Sequence, residues 1–435
     1  MRHFDFHDGE LHAEDVPLSR IAADVGTPVY VYSSATLERH YRVFADSFEG
    51  LDTLVAYSVK ANSNIAVLQT LARLGAGADV VSGGELARAL IAGIPGERIV
   101  FSGVGKTRDE MAAALDAGIH LFNVESLPEL HVLNAVAVAR GRRAPVAFRV
   151  NPDVSAGGHE KISTGKKENK FGIAWSRAEA AYAEAARLPG IEVVGVDVHI
   201  GSQIDDLAPF EAAIRKVAAL IGRLREAGHD IRVFDIGGGL GIPYGDNGRT
   251  PPRPDAYGAL VRRLTADLGV QMVFEPGRMI AGNSGVLLTR ALYVKEGEDR
   301  RFLVIDAAMN DLLRPALYDA FHDIEPVRAP GPNTDPEAYD IVGPICETGD
   351  TFARDRDMPP VQAGDLLVIH STGAYGAAQS SQYNTRPLVP EVMVRGDEYR
   401  VIRERPKVEE ILRTESLVEW KGDRPSKSRN DLLEG

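Results

Sequence analysis

Short apolar runs alternate with amphipathic segments through the first two thirds of the chain, and this alternation constrains the fold most. The apolar runs predict eight strands, at Leu54–Val59, Ala78–Val81, Arg98–Ser102, Leu121–Val124, Pro145–Val150, Val193–Ile200, Val233–Ile236 and Gln271–Phe274. Helices are predicted between them, at Ser63–Leu74, Glu85–Ala92, Arg108–Ala117, Pro128–Arg140, Arg177–Leu188, Pro209–Ala227 and Asp255–Leu268. Eight strands separated by helices are typical of an α/β protein with a (β/α)8 TIM barrel.

The segments on either side of this barrel have different patterns. The N-terminal segment contains a predicted helix at Leu18–Val25 and the strand-like Pro28–Tyr32. After Gly282 short apolar runs recur without long helices, which predicts an all-β domain. Its predicted strands are Val286–Val294, Arg301–Ile305, Tyr339–Ile345, Leu366–His370, Glu391–Val394 and Glu398–Val401. We therefore expect an N-terminal segment that joins the β domain (1–35), a barrel (36–282), a β domain (283–405) and a polar tail (406–435).

Composition and charge exclude several classes of protein. The chain has 435 residues, of which 44% are hydrophobic and 26% charged, enough for a large core. Its net charge of −13 argues against binding to nucleic acid or to an anionic membrane surface. No apolar run approaches the ~18 residues that a membrane span needs. The single cysteine and a start without a basic segment followed by an apolar one predict a cytoplasmic protein.

The residues of chemical interest follow the predicted barrel strands directly. Lys60 ends the first strand, whereas His199, Gly237–Gly239 and Glu275 lie at the ends of the sixth, seventh and eighth. In an α/β barrel the carboxyl ends of the strands carry the chemistry. His199, Gly237 and Glu275 are separated by equal steps of 38 residues, so we expect them at a similar level around the barrel mouth.

Each of these residues also has a purely structural interpretation. Lys60 could mark the edge of the sheet with its amine in water. His199 could be a core histidine, and Gly237–Gly239 could be a tight turn instead of a phosphate-binding loop. Glu275, which follows an apolar strand, could be paired with Arg278 three residues later.

Taken together, these residues match the needs of one cofactor. Pyridoxal phosphate requires an amine, a flat partner for its ring, a group facing its ring nitrogen and a phosphate site. Lys60, His199, Glu275 and the glycine run supply this set. A carboxylate keeps the ring nitrogen protonated, which favours loss of CO2 or of a proton from the substrate. Because Lys60 must react as a neutral amine, we expect its pKa to be lowered by burial or a nearby cation.

The motifs around these residues resemble the fold-type III pyridoxal-phosphate enzymes, which include alanine racemase and the ornithine, arginine and diaminopimelate decarboxylases. The motifs are Tyr57-Ser58-Val59-Lys60-Ala61-Asn62, His199-Ile200-Gly201-Ser202, Gly237-Gly238-Gly239 and Glu275-Pro276-Gly277-Arg278. The resemblance covers nearly the whole chain. Two further stretches are most similar to the diaminopimelate decarboxylase branch, namely Val342–Asp350 and Ile162–Gly172.

This resemblance implies a function for each matching residue. Lys60 would bind the cofactor covalently, His199 would stack on its ring, and Glu275 would pair with its ring nitrogen. The rest of the cofactor site would comprise Ser202, Gly237, Gly238, Gly239, Gly277, Arg278 and Tyr375. The substrate would contact Arg278, Arg314, Tyr318, Glu347 and Tyr375. Arginines and a tyrosine suit the distal carboxylate of diaminopimelate, and Glu347 suits its distal ammonium. No metal is implied.

The resemblance also implies a homodimer with shared active sites. In the decarboxylase branch, the cysteine that corresponds to Cys346 comes from the neighbouring subunit and protonates the α-carbon. Cys346 and Glu347 would then complete the partner's site in a dimer with C2 symmetry. The alternative for Cys346 is a buried structural thiol.

The implied activity is decarboxylation of meso-2,6-diaminopimelate to L-lysine and CO2, the last step of lysine biosynthesis. The alternatives are a decarboxylase for ornithine, arginine or carboxynorspermidine, an amino-acid racemase, and a non-catalytic cofactor carrier. Arg314 favours a dicarboxylate substrate, and a racemase would by analogy have arginine in place of Glu275.

A glycine-rich, charged segment after the fifth strand, Asn151–Ile173, is a predicted active-site lid. Within it, Glu160-Lys161 depart from the resemblance, because many relatives have a proline and an aromatic residue there. The tail after Arg405 also departs from the usual short ending.

Overall fold

The computed structural model describes residues 2–154, 170–245, 250–331, 334–418 and 420. Most of the predicted lid, including Glu160-Lys161, therefore lies outside the described residues. So does the predicted polar tail beyond residue 420.

Eight parallel strands close a barrel in the middle of the chain, which confirms the predicted fold class. The first and last strands pair in parallel, with Met272 opposite Thr53, and this pairing closes the ring. A short additional strand, Ile173–Ala174, pairs with the end of the fifth strand. The barrel strands span Thr53–Ser58, Gly77–Val80, Ile99–Phe101, Leu121–Val124, Ala144–Asn151, Ile191–Asp197, Val233–Asp235 and Gln271–Phe274.

Helices connect these strands around the outside of the barrel. They span Ile65–Ala72, Gly83–Ile91, Arg108–Ala117, Leu127–Ala139, Ala178–Ala185, Ala208–Glu226 and Pro254–Thr265. Ser82, Thr107 and Ser126 cap three of them, because each side chain accepts a hydrogen bond from the backbone N–H three residues on. The first of these helices begins at Ile65 and not, as predicted, at Ser63. Asn64 is the cap, since its side chain reaches the Ala66 N–H at 3.0 Å.

The inside of the barrel has an apolar layer below a polar one. The apolar layer comprises Leu54, Ala56, Val100, Leu121, Ala147, Val194, Val233 and Val273. Alternate residues of a strand face the same side, so residues two positions later also point inward. On six of the strands the residue two positions after a member of the apolar layer is buried and polar. These residues are Ser58, Ser102, Asn123, Arg149, Asp235 and Glu275. The sequence thus places a polar floor at the carboxyl ends of the strands.

A second sheet is built from strands on both sides of the barrel. Strand Val29–Ser33 lies between Gly285–Glu296 and Glu391–Arg395, so the N-terminal segment contributes to it as expected. Its other strands are Arg301–Ile305, Ile324–Pro326, Glu337–Val342, Thr351–Met358, Leu366–Ile369 and Glu398–Arg403. The positions at which we divided the chain into domains stay predictions.

The remaining described elements lie outside the barrel sheet and the second sheet. A three-stranded sheet at the start comprises Phe4–His7, Glu10–Ala13 and Val16–Pro17. Further α-helices span Leu18–Val25, Ser34–Asp46, Arg278–Ala281, Arg314–Tyr318 and Val408–Leu412. Single 3-10 turns occur at Val59–Ala61, Gly96–Arg98, Trp175–Arg177, Gly282–Ser284, Ala377–Gln379 and Tyr383–Thr385. None of the described helices combines the length and apolar character that spanning a bilayer requires.

Two strands of the second sheet were missed in the sequence, the three-residue Ile324–Pro326 and the longer Thr351–Met358. Thr351–Met358 forms the edge of the sheet against Glu337–Val342, and edge strands commonly carry charges that hide their apolar pattern. The predicted strand Tyr339–Ile345 is also too long. It stops at Val342, and the Asp350 carboxylate accepts the Ile345 N–H at 2.7 Å in the turn that follows.

Candidate active site

A cavity of ≈480 Å³ opens at the carboxyl ends of the barrel strands. It brings together the predicted residues from the barrel and from the β domain, which are separated by up to 315 positions in the chain. Of the predicted site residues, it is lined by Lys60, His199, Ser202, Gly237, Gly238, Gly239, Glu275, Gly277, Arg278, Arg314, Tyr318 and Tyr375.

Lys60 lies in the 3-10 turn that follows the first strand, and its Nζ lies 2.6 Å from Asp79 Oδ2. Burial lowers the pKa of Lys60, but attraction to Asp79 and Glu275 outweighs it, so the pKa is raised. The predicted lowering of this pKa is therefore wrong. A neutral amine at Lys60 requires transfer of its proton, and Asp79 Oδ2 is within hydrogen-bonding distance to accept it.

Asp79 is a site residue that sequence reasoning missed. It lies in the second barrel strand, is fully buried, and also accepts a hydrogen bond of 2.5 Å from Ser58 Oγ. A sequence signal existed, because an acidic residue within an apolar strand is costly to bury unless it has partners.

Glu275 follows the eighth strand and is buried. Its Oε1 accepts hydrogen bonds from Ser102 Oγ at 3.0 Å and from Asn123 Nδ2 at 3.2 Å. Burial raises the pKa of Glu275, and Asp235 and Asp79 raise it further. A carboxyl group in this environment gains stability as a carboxylate when a cation is placed beside it, and a protonated ring nitrogen is such a cation.

The alternative in which Arg278 pairs with Glu275 is not what the structure shows. Arg278 donates to the Tyr244 hydroxyl and, at 3.2 Å, to Ser202 Oγ. Arg278 therefore contacts Tyr244 and Ser202 instead of the Glu275 carboxyl group.

His199 is tied to the glycine loop and to Glu275 through the backbone. Its Nδ1 accepts the Gly238 N–H at 3.1 Å, and the Glu275 N–H donates to the Gly237 carbonyl at 2.9 Å. The expected common level of these residues is confirmed. Burial lowers the pKa of His199, and Arg149 and Lys60 lower it further, so its ring is neutral. A neutral, flat ring suits stacking on another flat ring.

The glycine run is required by close packing. A Cβ on Gly237, where φ is +70°, would lie 2.6 Å from His199 Nδ1, and one on Gly238 would collide with the Glu275 carbonyl. The N–H groups of Gly237 and Gly238 donate to Asp235 and His199. Of the three, only the Gly239 N–H has no acceptor within the described part of the chain. Within these residues only one backbone N–H of the glycine run is therefore available to a phosphate, which is fewer than the motif implied.

Two buried arginines give the cavity a strong preference for anions. Arg278 and Arg314 are 8% and 6% exposed. Their polar partners among the described residues are neutral, namely Tyr244 and Ser202 for Arg278 and His322 for Arg314. The Nε of Arg278 has no partner at all within the same residues. Buried cations without carboxylate partners are costly, so the site favours a phosphate or carboxylate ligand.

The described positions of Cys346 and Glu347 do not line this cavity. Both are exposed, and the alternative of a buried structural thiol for Cys346 is wrong. The Cys346 N–H donates to Asn384 Oδ1 at 3.4 Å, and Tyr383 donates to Glu347 Oε2 at 3.0 Å.

The arrangement fits pyridoxal phosphate. Lys60 provides the amine, His199 a neutral ring, Glu275 a carboxyl that a cation would stabilise, and Arg278 a charge for the phosphate. Sequence reasoning also missed Ser102, Asn123 and Tyr244. The first two lie two positions after inward-facing apolar residues, a signal that the strand period provides, whereas Tyr244 lies in a loop with no pattern.

Comparison with known proteins agrees with this geometry. The family model described as "Pyridoxal-dependent decarboxylase, pyridoxal binding domain" matches residues 34–282. The diaminopimelate decarboxylase of Zymomonas mobilis is 50% identical over 420 residues, which cover 96% of this chain and 99% of that protein. That of Pseudomonas aeruginosa is 52% identical over 415 residues, 95% of this chain and 99% of the relative.

Solved structures show the same relationship. Diaminopimelate decarboxylase from M. jannaschii in complex with L-lysine superposes with a TM-score of 0.91 at 36% identity, covering 95% of this chain and 98% of that one. The Helicobacter pylori enzyme with L-lysine gives 0.88 at 40% identity, covering 91% and 98%. The chain therefore belongs to the pyridoxal-dependent decarboxylases, in the diaminopimelate decarboxylase family.

Proposed function

We propose that this protein decarboxylates meso-2,6-diaminopimelate to L-lysine and CO2, with pyridoxal phosphate as its cofactor. The observation that carries this is the presence of buried Arg278 and Arg314 in one cavity with Lys60 and Glu275. The names of the relatives and the L-lysine bound in two solved relatives support the same reaction.

The cofactor site is formed by residues from four barrel strands and the β domain. Lys60 is the amine that would hold the cofactor, His199 would face its ring, and Glu275 would face its ring nitrogen. Ser202, Gly277, Arg278, Tyr375 and the glycine loop lie where the phosphate would bind. When bound, pyridoxal phosphate accepts the electron pair that remains on the α-carbon after CO2 leaves.

Asp79 and Glu275 are the two carboxyl groups that would act on the cofactor site, Asp79 through the proton of Lys60 and Glu275 through the ring nitrogen. Asp79 Oδ2 can take the proton of the Lys60 ammonium and return it, since it contacts Nζ directly. Ser102 and Asn123 both donate to Oε1 of Glu275, which would leave Oε2 to face the ring nitrogen of the cofactor. The floor of the site thereby keeps Glu275 in one orientation.

The substrate's distal end would bind to the arginines. Arg314 and Tyr318 are four residues apart on one short helix, so both side chains reach the same cavity. A distal carboxylate would offset the buried charge of Arg314, whereas the distal amine of ornithine would add to it. Glu275 occupies the position where a racemase would by analogy have arginine.

A homodimer would complete the site. Cys346 and Glu347 are exposed and lie outside their own subunit's cavity, which supports their insertion into the partner's cavity. There Cys346 would donate the proton that replaces CO2 on the α-carbon, and Glu347 would bind the distal ammonium. A cytoplasmic location belongs to the same proposal, because a lone exposed thiol fits a reducing compartment.

Borohydride reduction of the cofactor-loaded protein, followed by mapping of the modified lysine, tests the site. We expect the label on Lys60 alone. A label on another lysine would overturn the assignment of the cofactor site. The rate of CO2 release from diaminopimelate, ornithine, arginine and carboxynorspermidine tests the substrate, and a preference for ornithine would contradict the proposal.

A further inference from the structure

His322 contacts Arg314 from the side away from the cavity. Its side chain is 1% exposed and does not line the cavity into which Arg314 points. Arg314 Nη1 lies 2.9 Å from His322 Nε2, and His322 Nδ1 lies 2.8 Å from the His370 carbonyl oxygen. These two contacts fix the imidazole ring between the short helix Arg314–Tyr318 and the end of strand Leu366–Ile369.

The partners of His322 determine its tautomer and charge. A guanidinium N–H can only donate, so Nε2 must be the unprotonated acceptor. A carbonyl oxygen can only accept, so Nδ1 must carry the proton. The ring is therefore neutral. In agreement, burial and then the charge of Arg314 lower the pKa of His322 to about 3.

Tyr244 supports the same guanidinium from another side. The Arg314 Cζ lies 4.4 Å from the centroid of the Tyr244 ring, and that ring meets the His322 ring edge-on at 5.2 Å. The face of the Tyr244 ring and the Nε2 of His322 together fix both the plane and the rotation of the Arg314 guanidinium group. A planar fork in a fixed orientation can bind a carboxylate through two parallel hydrogen bonds.

Because His322 is a neutral hydrogen-bond acceptor, the positive charge of Arg314 stays available to a ligand, which would not be so beside an acidic residue. A carboxylate beside Arg314 would form an internal ion pair and reduce the attraction for a substrate carboxylate. His322 orients the guanidinium and leaves its positive charge uncompensated within the described residues.

We propose that His322 is a positioning residue that sets the preference for substrates with a distal carboxylate, by orienting Arg314 without neutralising it. This inference rests on the proposed function, in which Arg314 binds that carboxylate. His322 touches neither substrate nor cofactor, so it acts only through Arg314.

Two variants distinguish the contact of His322 with Arg314 from its contact with the His370 carbonyl. In His322→Gln the amide oxygen can replace Nε2 as the acceptor for Arg314. In His322→Asn the shorter amide can replace only the Nδ1 donor, and the contact with Arg314 is lost. Loss of a hydrogen bond to a charged group predicts that KM for diaminopimelate rises about 10-fold or more in His322→Asn. We expect kcat to stay near the wild-type value, and His322→Gln to restore most of the KM.

Competitive inhibition provides a readout that a structural defect would not give. L-lysine retains the distal carboxylate of the substrate, whereas cadaverine has the same diamine chain without any carboxylate. We expect His322→Asn to weaken inhibition by L-lysine by the same factor as KM and to leave inhibition by cadaverine unchanged. Equal weakening of both inhibitors, or a fall in kcat with a normal KM, would overturn the proposal.

The proposed function can fail separately from this inference. If the wild-type protein does not decarboxylate diaminopimelate, the function is wrong. If it does and His322→Asn keeps a normal KM, the inference about His322 alone is wrong. Should the asparagine variant not fold, His322→Ala must show at least the same rise in KM, and a normal KM there would equally overturn the proposal.

Discussion

The Nζ of Lys60 lies 2.6 Å from Oδ2 of Asp79, an aspartate on the neighbouring barrel strand that is completely buried. The attraction to Asp79 raises the pKa of Lys60, and Oδ2 of Asp79 is positioned to accept the proton of the amine. The contact therefore controls the pH at which Lys60 loses its proton and becomes a nucleophile.

Replacing Asp79 tests this control. In Asp79→Asn the attraction that raises the pKa of Lys60 is lost, so Lys60 becomes neutral at lower pH. We expect the pH dependence of cofactor attachment, followed by its visible absorbance, to shift toward lower pH. We also expect kcat to fall by about 10²-fold, as is common when a proton-transfer group is removed. Ser58→Ala, which removes the other hydrogen bond to Oδ2, is the matched control, and an unshifted profile in Asp79→Asn would contradict the assignment.

The negative charge of Glu275 is expected to matter more than its hydrogen bonds. Glu275→Gln keeps the shape but removes the charge that would face a protonated ring nitrogen, and we expect kcat to fall by about 10²-fold or more. Ser102→Ala removes one neutral hydrogen bond to Oε1, and we expect only a few-fold loss. Steady-state kinetics on cofactor-saturated protein distinguishes the two. Similar losses in both variants would argue against a charge effect.

Mixing two inactive variants tests the shared site. Lys60→Ala lacks the cofactor amine, and Cys346→Ala lacks the proposed proton donor. In mixed dimers one of the two sites regains both residues, so an equal mixture should recover about a quarter of the wild-type activity. Gel filtration with light scattering would establish the dimer. Failure of mixed dimers to recover activity would place Cys346 outside the partner's site.

Neutral His322 predicts a pH effect on stability. The pKa of this group falls from 6.5 to about 3 on folding, so below pH 6.5 the unfolded chain binds more protons than the folded one. The folded state therefore loses stability as the pH falls, by about 2 kcal/mol between pH 7 and pH 5. His322→Gln lacks this group. The difference in Tm between wild type and variant should shrink by about 2 °C over this range, and a constant difference would show that His322 titrates normally.

The sequence predicted the barrel and the residues that directly follow its strands. Lys60, His199 and Glu275 were recognisable because each interrupts or ends an apolar run, and strand order then determines their neighbours. The direction of the Lys60 pKa was predicted wrongly because Asp79 was overlooked, although it lies in the adjacent strand. His322 and Tyr244 carried no local signal. Tyr244 contacts Arg314 through packing of a barrel loop against the β domain, and His322 contacts Arg314 from eight residues later in the same domain. The edge strand Thr351–Met358 was hidden by its charges.

Reaction of meso-diaminopimelate in deuterated water tests the central claim most directly. We expect release of one CO2 for each L-lysine formed, with a single deuterium on the carbon that lost the carboxyl group. Deuterated diaminopimelate without CO2 would instead indicate a racemase. No turnover of diaminopimelate, together with decarboxylation of ornithine, would contradict the distal carboxylate site at Arg314.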